Sequence, residues 1–459
     1  MFALRACALA LAACVAGCAI GPALSPAVPS SASGSRVPRT SKNPIQHVII
    51  VVQENRTFND FFATYPGADG TTTGTIVKSS ACGIPKTKTI ALTKSNLVMS
   101  HDLTHTYQGY RAARNGGAMN GFDNVFFGNG QPECTYPYQY TDPAQIAPYW
   151  DIAKQYVLAE HMFTTQGSSS FTAHQDLIAG GTNISPNEAL VNLPSCSGTN
   201  CYWGCDAPKG TRTSLITRND TFKPGAGPFP CLQYATMRDL LDTAGVSWRY
   251  YAPKPCCDVN GRLFSAFDAI EAVRRGTEWT DGHISKPQTN IFGDLSGGNL
   301  QSVSWVVPDG ADSDHPGEGA DDGPQWIASI VNAVGESAYW KSTAVIIVWD
   351  DWGGLYDNAN PPQLGFGGLG FRVPALVVSA YAKKGYISRT QYEFGSILKY
   401  VEENWSLGSL GTSDERAASI ADCFDYSRGP RAFVPIASSR SKTYFLHRRP
   451  SNVPIDDDL

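Results

Sequence analysis

The chain has 459 residues and a formal net charge of −5, with 36 basic and 41 acidic side chains interspersed along it. There is no basic run and no basic helix face, so no nucleic-acid partner is expected. The length allows one large α/β domain with insertions, or two domains.

The N-terminus has the pattern of a secretory signal. Arg5 supplies a positive charge, and residues 6–16 form an apolar segment that is too short to span a bilayer. The residues Val-Ala-Gly-Cys at 15–18 resemble a bacterial lipobox, which predicts a signal peptide over 1–17 and lipidation of Cys18. An ordinary signal peptide with a chance cysteine is the alternative.

Lipidation would anchor the chain to a membrane of the bacterial cell envelope. Ala19 stands where an Asp is associated with inner-membrane retention, which favours the outer membrane and a periplasmic or surface-exposed position; secretion is the alternative. Residues 18–44 are rich in Ser, Pro and Ala, as a flexible tether is. The folded domain is predicted over 45–436, and residues 437–459 are predicted to form a solvated tail.

Nine cysteines follow Cys18, and in an exported chain the default expectation is disulfide bonding. Most of them lie between residues 134 and 257, which predicts a stapled insertion with little regular structure, loop-rich over 183–233. Zinc at the Cys201 and Cys205 pair is a weak alternative, because no second pair has the required spacing. The odd count leaves at least one thiol free or paired between chains. The nine are Cys82, Cys134, Cys196, Cys201, Cys205, Cys231, Cys256, Cys257 and Cys423.

Alternating strand and helix patterns predict an α/β fold, with a mostly parallel sheet and helices on both sides. The predicted strands are 47–53, 154–160, 246–251, 302–307, 344–350 and 373–379. The predicted helices are 104–114, 143–153, 172–180, 234–244, 265–275, 324–335 and 394–405.

Two acidic motifs end apolar, β-branched runs of the kind that form buried parallel strands. Glu54 and Asn55 follow the run 47–53, and Asp350 and Asp351 follow the run that begins at residue 344. Ligands bind beyond the carboxyl ends of parallel strands, so both motifs are expected at one edge of the sheet. Three carboxylates and an amide oxygen predict a metal site there. The alternatives are a capped turn after the first run and a solvated turn after the second.

A hydroxyl nucleophile is expected near residue 170. Ser170 precedes a predicted helix, and the free N–H groups at a helix start stabilise developing phosphate charge. The same position also suits a serine that only caps the helix. The sequence does not separate Ser170 from Ser168 or Ser169.

Five of the eight histidines lie in these segments or close to them. A histidine can bind phosphate or protonate a leaving group near neutral pH. A lone histidine is more often structural, and His283 and His447 are interpreted in that way. The five candidates are His101, His105, His161, His174 and His315.

Taken together, these motifs resemble the bacterial phosphoesterase family of phospholipases C and acid phosphatases. The resemblance spans roughly residues 45–436, with the motifs in the family's order. The Glu-Asn and Asp-Asp-x-Gly-Gly motifs are the specific ones. The matching segments are Gln-Glu-Asn-Arg-Thr-Phe at 53–58, Asp-Leu-Thr-His at 102–105, Ser-Phe at 170–171, Asp-His-Pro at 314–316, Trp-Asp-Asp-Trp-Gly-Gly-Leu-Tyr-Asp at 349–357 and Arg-Val-Pro at 372–374.

The resemblance implies an alkaline-phosphatase-like, three-layer α/β/α fold and hydrolysis of a small phosphate ester or a phospholipid. It implies a divalent metal ion, of unspecified identity, with Ser170 as nucleophile. His105 and His315 are then expected to contact the phosphate or the leaving group, and Asn55, His174 and Asn358 to lie at the substrate. The implied metal ligands are Glu54, Asn55, Ser170, Asp350 and Asp351.

Two features favour the acid-phosphatase branch over the phospholipase branch. That branch typically has Asp-Asp where phospholipases often have Asp-Glu, and Ser where they often have Thr. The leading prediction is therefore a monoesterase, and a phospholipase C-type phosphodiesterase is the alternative.

The chain also departs from the family pattern. Asn358 replaces the usual histidine, and Thr172-Ala173 replace a Pro-Asn pair before His174. Asparagine does not supply a proton, so a catalytically impaired surface protein that binds a phosphorylated ligand is a further alternative.

Overall fold

The computed structural model describes residues 40–127, 130–195, 203–253, 265–317 and 321–449. They belong to one compact unit. The predicted signal peptide, Cys18 and the tether up to residue 39 lie outside the described residues. The last tether residues are ordered, because the Lys42 N–H donates to the Asn404 carbonyl at 2.8 Å. No helix in the described ranges is long and apolar enough to cross a membrane.

Eight strands of the described chain form one central sheet, in the order β14-β13-β15-β1-β16-β17-β8-β18. Neighbouring strands run parallel except at β17, which is antiparallel to both β16 and β8. The strands of the described residues are β1 (His47–Gln53), β2 (Thr73–Ile76), β3 (Lys88–Ala91), β4 (Thr93–Ser95), β5 (Phe126–Phe127), β6 (Gln131–Pro132), β7 (Gln139–Thr141), β8 (Val157–Ala159), β9 (Asn183–Ser185), β10 (Glu188–Ser195), β11 (Arg212–Thr217), β12 (Phe222–Lys223), β13 (Trp248–Tyr251), β14 (Ile284–Ser285), β15 (Val303–Val306), β16 (Thr343–Trp349), β17 (Ala375–Ser379) and β18 (Tyr386–Ser388).

All six predicted strands are present in this sheet. The short edge strands β14 and β18 were not predicted, because two or three residues carry too little periodicity. The α-helices of the described residues are α1 (Phe58–Phe62), α2 (Tyr107–Arg114), α3 (Ala147–Gln155), α4 (Ser170–Ala179), α5 (Met237–Ala244), α6 (Glu271–Arg274), α7 (Asn290–Gly297), α8 (Gly323–Gly335), α9 (Phe394–Trp405), α10 (Ser413–Arg416) and α11 (Lys442–His447).

Helices cover both faces of the sheet. Ile50, Trp305 and Ile346 are register partners and share one face, where the Trp305 indole N–H donates to the Leu177 carbonyl of α4 at 3.2 Å. Trp349 points to the opposite face, and its ring lies 4.9 Å from that of Tyr149 in α3. Helix α9 packs on α4, and α8 packs on α3. The prediction of a mostly parallel sheet between helical layers is therefore confirmed.

The predicted helix over 265–275 is wrong as a continuous element. A 3-10 turn at Ala266–Ala269 is separated from α6 by Ile270, which has extended backbone angles. Ile270 forms a bridge with Leu232 instead of continuing the helix. Tertiary pairing thus overrides the helical periodicity of this segment.

The segment 183–233 contains more regular structure than expected. Strands β9 to β12 form a four-stranded antiparallel sheet, in which Leu190 and Ile216 are buried. A disulfide joins Cys205 to Cys231, so Cys205 is not a zinc ligand, and a second joins Cys82 to Cys134. Both confirm the expectation of disulfides, whereas Cys423 is a buried free thiol. The remaining cysteines, Cys196, Cys201, Cys256 and Cys257, lie outside the described residues.

The C-terminal segment is not a solvated tail over its described part. Phe445 of α11 is 3% exposed and packs edge-on against Trp326 of α8, with 5.2 Å between ring centroids. The Tyr444 hydroxyl donates to Asp322 at the start of α8. One buried aromatic ring is enough to dock a short helix. The residues around it in the sequence are charged, so the apolar pattern that would predict a packed helix is missing.

Candidate active site

The two acidic motifs meet as expected at the carboxyl ends of β1 and β16. These strands are parallel neighbours, with Gln53 opposite Trp349, so the residues that follow each strand lie side by side. The Asn55 N–H donates to Asp350 Oδ1 at 3.1 Å. Glu54, Asn55, Asp350 and Asp351 are fully buried, which excludes the solvated-turn alternative for this pair of motifs.

Close backbone approach holds this edge together. Asn55 has a φ of +48°, a left-handed conformation that is uncommon outside glycine and recurrent at functional sites. A Cβ on Gly353 would lie 2.3 Å from the Asn55 carbonyl oxygen, and one on Gly354 would lie 2.4 Å from Leu103 Cβ. The two glycines therefore bring loops of the protein together.

The structure separates the three candidate serines. Ser170 is the first residue of α4, two residues earlier than predicted, and its Oγ donates to Asp351 Oδ2 at 3.0 Å and lies 3.4 Å from Asn55 Oδ1. Ser168 Oγ accepts from the Asn192 N–H, and the buried Ser169 Oγ has no hydrogen-bond partner in the described part of the chain. Ser170 is the hydroxyl that reaches the acidic motifs.

His105 and His315 lie together on the other side of Asn55. One terminal atom of the Asn55 amide is 3.1 Å from His105 Nε2 and 3.2 Å from His315 Nε2. The other terminal atom is 3.1 Å from Glu54 Oε2 and 3.0 Å from Asp350 Oδ1. We call the first group the histidine side of the site, and Glu54, Asp350 and Asp351 the oxygen side.

The protonation of His105 and His315 sets which way the Asn55 amide points. His105 Nδ1 lies 2.7 Å from the Leu103 carbonyl, and His315 Nδ1 lies 2.7 Å from the Pro316 carbonyl. A carbonyl only accepts, so each Nδ1 carries a hydrogen. If each Nε2 also carries one, the Asn55 oxygen accepts from both rings and its NH2 group donates to Glu54 and Asp350. If the rings are neutral, the NH2 group donates to them and the amide oxygen faces the oxygen side, as it would for a metal ligand.

Such a convergence of oxygens suits a cation. Asp350 Oδ2 is buried without a hydrogen-bond partner among the described residues, and an amide oxygen beside two carboxylates is unfavourable unless a positive charge offsets it. Hard oxygen donors are what Mg²⁺, Ca²⁺ and Mn²⁺ prefer, and mixed donors suit Zn²⁺. The residues that would hold the ion are Glu54, Asn55, Ser170, Asp350 and Asp351.

His174 lies on the oxygen side, not with the other histidines. Its Nε2 is 2.9 Å from Glu54 Oε1 and 3.6 Å from Asp350 Oδ2, and the ligand atoms of these three residues lie within 4.8 Å of one another. The indole of Trp203 packs against the imidazole at 6.3 Å. His174 thus contacts predicted metal ligands, although the sequence suggested a place at the substrate.

Asp102 lies beside both histidines, although no role was predicted for it. Its carboxylate, His105 and His315 form a second group with ligand atoms within 4.8 Å of one another. Asp102 Oδ1 lies 3.9 Å from His105 Nδ1. Its position three residues before His105, in the turn that precedes α2, is the sequence feature that could have identified it.

Burial changes the acid–base behaviour of groups around the site. Asp314 accepts from the Tyr149 hydroxyl at 2.6 Å and the Trp349 indole at 3.0 Å, yet its burial raises its pKa to about 7. Burial also raises the pKa of Tyr250 well above its usual range, and the negative charge of Glu54 adds to the effect. Both groups are therefore protonated in weakly acidic solution.

Asn358 belongs to a separate network. Its Oδ1 accepts from Arg372 Nη2 at 2.8 Å, and its Nδ2 lies 3.4 Å from the Asp69 carbonyl. Arg372 in turn binds both carboxylate oxygens of Asp357. These contacts support a structural position, and none of them reaches the oxygen or histidine side. His101 and His161 also lie apart, paired with Glu133 and Asp69 respectively.

An eight-stranded α/β sheet with acidic motifs, a helix-start serine and two histidines at its carboxyl edge defines a hydrolase-type site of the phosphoryl-transfer class. The chain matches the Phosphoesterase family over residues 45–408, and it belongs to that family. It is accordingly a phosphoesterase, a hydrolase that acts on phosphoric esters.

Curated relatives carry phospholipase names. Phospholipase C B of Mycobacterium tuberculosis is 23% identical, with 85% of this chain and 80% of the relative covered. Non-specific phospholipase C1 of Arabidopsis thaliana is 22% identical, with 87% and 75% covered. Non-hemolytic phospholipase C of Pseudomonas aeruginosa is 22% identical, with 82% of this chain and 56% of that longer protein covered.

Solved structures resemble the chain only distantly. A protein in the alkaline phosphatase superfamily from Vibrio parahaemolyticus aligns with a TM-score of 0.38 and 10% identity, over 84% of this chain and 73% of that one. A lipoteichoic acid synthase, LtaP, from Listeria monocytogenes aligns with a TM-score of 0.35 and 10% identity, over 81% and 76%. At these scores the alignments add nothing to the description of the sheet given above.

Proposed function

We propose that this phosphoesterase hydrolyses phosphate monoesters through Ser170, with a divalent metal ion held by the oxygen side. The observation that supports this most directly is the contact of Ser170 Oγ with Asp351 Oδ2 at 3.0 Å, beside Asn55. A hydroxyl donating to a buried carboxylate is oriented for attack, because the carboxylate fixes its proton away from the lone pair that reacts.

The reaction takes two displacements. Ser170 Oγ passes its proton to Asp351 and forms a bond to phosphorus, the ester P–O bond breaks, and the leaving oxygen takes a proton from Nε2 of His315 or His105 in the imidazolium form. Water then gives a proton back to that histidine and attacks the phosphoserine, the Oγ–P bond breaks, Oγ regains its proton from Asp351, and phosphate departs. A divalent ion bound at the oxygen side would lower the pKa of the serine hydroxyl and neutralise phosphoryl charge. The backbone N–H groups at the start of α4 favour the same charge.

A phospholipase C-type phosphodiesterase is the second candidate, and the names of the curated relatives favour it. The pair Asp350-Asp351 and the serine nucleophile favour the monoesterase. Both candidates use the same oxygen side and the same attacking group. They differ in whether the site accepts one or two ester substituents on the phosphate.

The deciding experiment compares p-nitrophenyl phosphate and p-nitrophenyl phosphorylcholine with the purified mature chain, with and without chelator. We expect chelator-sensitive turnover of the monoester and its loss by at least about a thousandfold in Ser170→Ala. Ser169→Ala is the matched control, since its hydroxyl has no hydrogen-bond partner among the described residues, and it should retain activity. Preference for the choline ester would move the chain to the phospholipase candidate, and full activity in Ser170→Ala would refute the serine mechanism.

We also propose that the chain is lipid-anchored through Cys18 in the bacterial cell envelope, at the outer membrane. The disulfides Cys82–Cys134 and Cys205–Cys231 support an oxidising compartment. Metabolic labelling with a fatty acid should mark the wild-type chain and not Cys18→Ala. Labelling of both variants, or of neither, would contradict the anchor.

A further inference from the structure

The C-terminal segment reaches back to the loop that carries His315. Arg448 directly follows α11, and its Nη2 lies 2.6 Å from Asp309 Oδ1 and 2.7 Å from Asp312 Oδ1. The two aspartates flank a 3-10 turn that ends three residues before His315. Arg448 thus bridges both ends of the turn that leads into the histidine side.

The turn depends on this arginine for its charge balance. Asp312 is 1% exposed and Asp309 is 8% exposed. Burial raises the pKa of Asp312 well above its usual range, with the nearby Asp309 adding to the effect and Arg448 opposing it. Two carboxylates buried beside each other repel and lose hydration, so a partner that is always charged stabilises their shared geometry.

The chain from Asp312 to Asp314 is also hydrogen-bonded to Gln53 at the end of β1. The Gln53 side chain donates to the Asp312 carbonyl at 2.9 Å and accepts from the Asp314 N–H at 3.1 Å. Gln53 immediately precedes Glu54, so the turn lies between the end of β1 and Arg448. His315 then has little freedom: its N–H donates to Ser313 Oγ, which donates to the Gly310 carbonyl.

We infer that Arg448 is a positioning residue for the hydrolysis, which acts by holding the Asp309–Asp312 turn so that His315 Nε2 faces Asn55 and the phosphate. This inference rests on the proposed function, since it assumes that His315 serves the reaction. Arg448 does not touch the site. Its loss lets the turn relax, and a displacement of a catalytic group by about 1 Å costs on the order of a hundredfold in rate.

The test begins with Arg448→Met, which keeps most of the apolar stem and removes the charge. We expect kcat for p-nitrophenyl phosphate to fall by about ten- to a hundredfold with KM changed less than about threefold. Arg448→Lys keeps a positive charge and should recover part of the loss. Arg440→Met is the matched control: Arg440 pairs with Asp322 at 2.6 Å in the same C-terminal segment but does not contact the turn.

A double-mutant cycle identifies the route of the effect. If Arg448 acts through His315, Arg448→Met should lower kcat little further in a His315→Asn background, because the function that it supports is already gone. Additive losses would overturn the inference, and so would an Arg448→Met enzyme with wild-type kcat. An equal loss in Arg440→Met would attribute the effect to docking of α11 in general and would also overturn it.

Failure of this inference is distinguishable from failure of the proposed function. A wild-type chain that turns over neither ester would refute the proposed function before any Arg448 variant is made. A wild-type chain that depends on Ser170 but is insensitive to Arg448→Met would leave the proposed function intact and remove the positioning role. Thermal unfolding of each variant, recorded in parallel, separates a kcat effect from loss of folded protein.

Discussion

The oxygen side and the histidine side of the site are built differently. Glu54 and Asp350 follow directly from neighbouring strands of the sheet, whereas His105 and His315 lie on loops that precede α2 and α8. Strand register fixes the first pair, whereas side-chain bonds from Gln53 and Arg448 hold the turn before His315, and a backbone carbonyl of its own loop holds His105. The residues proposed to bind the ion are thus held by strand pairing, and the proposed proton donors are held only by individual contacts.

The largest effect is expected on the oxygen side. Asp350→Asn keeps the shape of the side chain and removes a charge that a cation requires, so activity should fall by about a thousandfold or more. Metal content measured by elemental analysis should fall with it. Asp151→Asn, at a partly exposed carboxylate that pairs with Lys154, is the control. Retained metal with lost activity would mean that Asp350 is not a ligand.

The histidine side should behave differently. His315→Asn and His105→Asn are expected to lower kcat by about a hundred- to a thousandfold, in the range of lost general acid catalysis. Metal content should stay at the wild-type level, because neither histidine is among the predicted ligands, although His105 Nε2 lies 3.8 Å from Asp351 Oδ2. Steady-state kinetics beside elemental analysis checks both statements. Metal loss in either variant would show that the two sides are not separate.

Asn55 joins the two sides, and Asn55→Asp sharpens the contrast. The amide atom that faces both histidines becomes a carboxylate oxygen, and a nearby negative charge favours the protonated imidazole. The pKa of both histidines should rise by about one unit or more, and the pH profile of kcat should move to higher pH. Histidine NMR titration of the chelated protein gives an independent readout. Unmoved titrations would show that the amide does not face the rings.

The smallest effect concerns stability around the histidine side. Asp314 has an ordinary pKa of 3.8 that burial raises to about 7 in the folded chain. Between these values the folded state binds more protons than the unfolded state, so stability is present below the ordinary value and is lost as pH rises through 7. The slope is at most about 1.4 kcal/mol per pH unit.

Asp314→Asn should flatten this slope, since the amide keeps an acceptor for Tyr149 and Trp349 without a titrating proton. Urea unfolding at a series of pH values between 4 and 8 measures it. If the variant has the same pH dependence as the wild-type chain, other buried acids are responsible, with Asp60 and Asp176 as the next candidates because burial raises the pKa of both.

The sequence predicted what depends on local pattern. The sequence predicts the buried strands at 47–53 and 344–350 from their composition and apolar pattern. Because parallel strands end at the same edge of a sheet, it also predicts that the acidic residues at their ends lie close together. The sequence did not identify which serine reaches the site, Ser168, Ser169 or Ser170, because that depends on the residue at which α4 begins. The orientation of Asn55 depends on carbonyls of two loops, and the sequence carries no signal for that.

Larger departures arose where long-range packing decides. The antiparallel sheet within 183–233 pairs short strands that have weak individual patterns. Helix α11 is held by one buried ring, Phe445, and Arg448 pairs with two aspartates that are far away in the chain. Such contacts are properties of the folded molecule, and no window of sequence contains both partners.

The position of β1 in the middle of the sheet has a consequence for folding in time. Its neighbours β15 and β16 lie far along the chain: the hydrogen-bonded pair Asn55 and Asp350 is separated by 295 residues. A chain synthesised from its N-terminus holds β1 without partners until most of the protein has emerged. Non-local pairing of this kind slows folding. The delay would postpone assembly of the oxygen side until late in the synthesis of the chain.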